Sequence, residues 1–180
     1  MASDSKWRGF TAYVGARANL DRTNANLLSE VKQRRSDDDL RISLRDTASS
    51  TMSPPGLKPR GVLGELLVHI LDVTVALDQP LDLPADHLII ALEYLRTRVR
   101  GNTRFNLLGL RRQPVLHGAE RCEGLTLRAT DLDWCSTAET SSGGFPIVEG
   151  PASLLLLALA GRPAALAGLT GDGIHLLAAR

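Results

Sequence analysis

Over residues 62–77 the chain is apolar on nearly every side of a predicted helix. Only Gly64, Glu65, His69, Asp72 and Thr74 interrupt the Val, Leu, Ile and Ala positions. A helix apolar all round is expected to be buried. Glu65, His69 and Asp72 follow one another at spacings of four and three, so they share one face. Upstream, Trp7, Phe10, Val14, Leu27, Leu28 and Val31 recur near helical spacing and predict a long helix over residues 5–34. Ser36 with Asp37–Asp39 reads as a cap and acidic first turn of a short helix carrying Leu40, Leu44 and Ala48. Prolines and glycines make residues 49–61 a loop.

Pro84 opens a further helix whose buried stripe is Leu88, Leu92, Leu95 and Val99. Its outer face shows Arg96, Arg98 and Arg100, and helix is expected to resume over residues 102–110. Beyond Gln113 the period changes. Leu125, Leu127 and Ala129 alternate with Thr126, Arg128 and Thr130, which predicts a half-buried strand. Phe145–Glu149 reads as a second strand. Gly150-Pro151 starts a Leu-rich helix that Gly161 ends, and the closing IHLLAAR suits strand or helix. The expectation is an α+β protein with a helical unit over residues 1–112 and a smaller α+β unit over 113–180.

Composition narrows the function classes. The chain has 180 residues, 43% of them hydrophobic, and a formal net charge of +1. A near-neutral chain is a poor candidate for a dedicated nucleic-acid binder, and the arginines from Arg96 to Arg112 read as a solvated helix face. The longest apolar run, Leu154–Ala160, is too short to span a bilayer. Two cysteines, Cys122 and Cys135, make no disulfide framework, and the first residues lack the apolar core of a secretory signal, so a reducing cytoplasm is expected.

The sharpest chemistry is the Glu65–His69–Asp72 stripe. Charged groups inside a core must be paired, hydrogen-bonded or metal-bound, so a divalent metal is the leading expectation there. Arg162, just after the Leu-rich helix, suits a carboxylate of substrate or cofactor; the plainer reading is a carbonyl-capping group at a helix end. Asp131, Asp133 and Trp134 read as turn-capping aspartates beside a packing indole.

GELLVHILDV followed by LDLPADHL resembles the helical domain of the mycothiol-dependent maleylpyruvate isomerases. LTLRATDLDW, VEGPASLLLLALAGRPAAL and LTGDGIHLLAAR resemble that family's C-terminal domain, and WRGFTAYVGARANLDRTNANL one of its helices. The resemblance implies a DinB-like helical bundle, here partial, followed by a small sterol-carrier-like α+β domain. It implies a divalent metal, typically zinc, held by one early His together with a Glu and a His four apart, for which Glu65 and His69 are the counterparts. No histidine precedes Glu65, so the family's first helices and one ligand have no counterpart. The implied cofactors are zinc and mycothiol. The implied reaction is addition of the thiol to maleylpyruvate, rotation about the resulting single bond, and elimination to the trans isomer. Spacing assigns Asp72 to orienting an imidazole. The alternatives are a member inactive for want of the ligand, or a non-catalytic small-ligand or protein-binding module. The expected partners are a small-molecule substrate or thiol, with self-association through apolar surface that a partial bundle leaves open.

Overall fold

A computed structural model describes residues 20–50, 58–79, 81–97, 118–136 and 144–180 of the chain. They belong to two compact units, one formed by residues 1–52 and 102–113, the other by residues 53–101 and 114–180.

In the first unit, α1 spans Leu20–Arg34 and α2 spans Asp37–Thr47. Ser36 caps α2 as its sequence predicts: the Asp39 amide donates to Ser36 Oγ at 3.2 Å and the Ser36 amide donates to Asp39 Oδ2 at 3.0 Å. Asp37–Asp39 place negative charge at the positive end of the helix dipole. Leu40, Leu44 and Ala48 form no buried stripe here, since α2 buries no residue. Of the helix expected over residues 5–34, residues 5–19 lie outside the described residues.

The second unit holds the main core. Helix α3 spans Pro59–Ala76, with proline at its first position where a missing amide costs nothing. It stops at Leu77, and Asp78 turns the chain with a φ of 50°. Helix α4 spans Ala85–Thr97 and buries Leu88, Ala91, Leu92 and Leu95, three of which were read as its stripe; Val99 lies outside the described residues, as do residues 102–110. After the single turn α5, Gly118–Arg121, come strands β1, Thr126–Ala129, and β2, Ile147–Gly150. They pair in parallel, Thr126 opposite Ile147 through Ala129 opposite Gly150. Leu125, Leu127 and Ala129 are buried, as the alternation predicts.

Helix α6, Ala152–Leu159, is the centre of this unit. It contacts α3, α4, both strands and the 3-10 helix Pro163–Gly168. Leu155, Leu156 and Leu159 are sealed from water, as are Leu92 and Leu95 of α4; each such leucine stabilises the fold by about 1.5–3 kcal/mol. The chain closes with α7, Ile174–Ala178, so the ambiguous tail is helical. The protein is therefore a helix-rich α+β protein with one small parallel sheet.

Two expectations are corrected. A division at residue 112 would cut through the main core, because Leu67, Val68 and Leu71 of α3 and Leu88, Leu92 and Leu95 of α4 share one cluster with Leu127, Val148, Leu155 and Leu156. A leucine-rich α6 cannot be covered by a two-stranded sheet alone, so α3 and α4 complete its burial. Helix α3 itself is not buried all round: it buries Gly61, Gly64, Leu67, Val68 and Leu71, while Leu66, Val73, Val75 and Leu77 are exposed. No helix among the described residues is long and apolar enough to cross a membrane.

Candidate functional site

The end of α6 sets the geometry. The Gly161 amide donates to the Ala158 carbonyl at 2.9 Å and the Arg162 amide to the Leu157 carbonyl at 3.0 Å. This is the Schellman pattern, and Gly161 adopts the φ of 80° that it requires. A Cβ at Gly161 would also collide with the Arg121 guanidinium. The turn directs Arg162 onto α3. Its Nε donates to Asp72 Oδ1 at 3.0 Å and its Nη2 to Asp72 Oδ2 at 2.7 Å, a two-point grip on one carboxylate. Its Nη1 donates to the Ala160 carbonyl at 2.9 Å, the carbonyl-capping role of the plainer reading.

The carboxylate that Arg162 meets is thus the protein's own. The expectation that Arg162 receives a substrate carboxylate is corrected to this extent: two of its nitrogens are engaged by Asp72. The Arg162 hydrogen bonds hold the Asp72 carboxyl below the usual carboxylate range, against a smaller desolvation effect. The same bonds raise the Arg162 guanidinium, and the charge of Glu65 adds to the effect, so Glu65 lies within electrostatic reach of the pair.

His69 stands apart from this grip. Its Nδ1 is 3.9 Å from Asp72 Oδ2, too far for a hydrogen bond, so Asp72 does not orient the imidazole as spacing suggested. The His69 side chain is 69% exposed and points away from the buried face of α3, which also corrects the expectation of a stripe lined up inside a core. Glu65 is half-buried and makes no hydrogen bond or ion pair among the described residues. Glu65 and His69 thus lie one turn apart beside an arginine-locked aspartate, His69 in a long ionic contact with Asp72 and neither in a hydrogen bond among the described residues.

A catalytic zinc takes three protein ligands and one open position. Among the described residues no group of three His, Cys, Asp or Glu side chains is placed to hold an ion.

A second polar network ties α4 to the segment after β1. Trp134, buried against the core, donates from Nε1 to Glu93 Oε1 at 2.9 Å, while Arg96 donates to Glu93 Oε2 at 2.6 Å. Burial raises the Glu93 carboxyl, but the bonds from Arg96 and Trp134 outweigh it and the net shift is downward. Asp131 Oδ1 accepts from the Ala152 amide at 2.8 Å and so caps the first turn of α6 from a distant loop. Sequence had placed Asp131 and Trp134 in structural roles. Their partners, Glu93 and the α6 amide, carried no local signal.

No family model, curated protein or solved structure matches the chain.

Proposed function

We propose that this chain carries the site of a metal- and mycothiol-dependent isomerase or related thiol transferase, on a partial DinB-like bundle joined to a sterol-carrier-like segment. The observation that supports it is the placement of Glu65 and His69 one turn apart on α3, outside the hydrogen bonds by which Arg162 holds Asp72. Glu65 offers a carboxylate oxygen and His69 an imidazole nitrogen, a donor set suited to zinc. When bound, the metal and thiol together supply a thiolate nucleophile for cis–trans isomerisation. The residues of the chain do the positioning. Arg162 clamps Asp72, which fixes α3 against the end of α6 and places a guanidinium near Glu65. The proposed setting is a reducing cytoplasm.

The test is metal analysis of tag-free protein after zinc loading and desalting. Retained zinc, lost in both Glu65→Ala and His69→Ala, is expected. Protein that keeps no zinc supports the second reading, a non-catalytic small-ligand or protein-binding module. That second reading rests on the exposure of His69 and on the lack of a third donor beside Glu65 and His69 among the described residues.

A further inference from the structure

We draw no further inference here: the strongest candidate, the exposed apolar face of α3 around Leu66 and Val73, carries none because nothing in the structure shows what covers it.

Discussion

Arg162 grips the carboxylate of Asp72 from a position 90 residues further along the chain, at 3.0 and 2.7 Å. It joins the end of α6 to the middle of α3 across the edge of the main core. The pair is about one-third exposed on each side, so water screens it. A double-mutant cycle of Asp72→Asn and Arg162→Gln, read by urea denaturation, should give a coupling of about 1 kcal/mol. A coupling near zero would mean that the two-point geometry does not persist in solution.

The same pair predicts a pH dependence. Arg162 lowers the Asp72 carboxyl below its unfolded value, so the folded state holds the ionised form more strongly than the unfolded state does. That stability is complete above the ordinary carboxylate range of about 4 and is lost as pH falls through the depressed folded value. Asp72→Asn should flatten the acid limb of the stability profile, measured as urea midpoint against pH. Glu93, also shifted downward, should leave a residual slope.

The indole of Trp134 ties two segments together through Glu93. Trp134→Phe keeps the ring in its buried place and removes the Nε1 donor, which should cost about 1–2 kcal/mol. Trp134→Ala should cost about 3–5 kcal/mol through the cavity it leaves. Equilibrium unfolding followed by far-ultraviolet circular dichroism separates the two. No loss in Trp134→Phe would show that the hydrogen bond to Glu93 contributes nothing.

Asp131 satisfies the Ala152 amide at the start of α6. Asp131→Ala should destabilise the protein by about 1 kcal/mol, and Asp131→Asn, which retains an acceptor, by less. Matched urea curves for the two variants provide the check.

Gly171 is held at a φ of 113°, and a Cβ there would run into the Ile147 carbonyl and the Val148 backbone. Gly171→Ala therefore combines a forbidden backbone conformation with a clash against β2. Loss of more than about 2 kcal/mol is expected from strain of this kind, read as a fall in melting temperature.

Local pattern determined much of this protein. The Ser36 cap, the proline before α4, the alternation at Leu125, Leu127 and Ala129 and the glycine after α6 each act over one turn or one strand. The physics that decides such features is contained in a few neighbouring residues. Tertiary structure decided the rest. The parallel pairing of β1 with β2, the seating of α6 on α3 and α4, and the partners of Arg162, Trp134 and Asp131 join residues far apart in the chain. Apolarity around α3 was legible, but not its division into a face that packs on α6 and one left open. An apolar side chain carries no mark of which surface will cover it. Nor does the spacing of Glu65, His69 and Asp72 reveal that an arginine from beyond α6 donates hydrogen bonds to one of the three, because ion pairs form between groups that folding brings together.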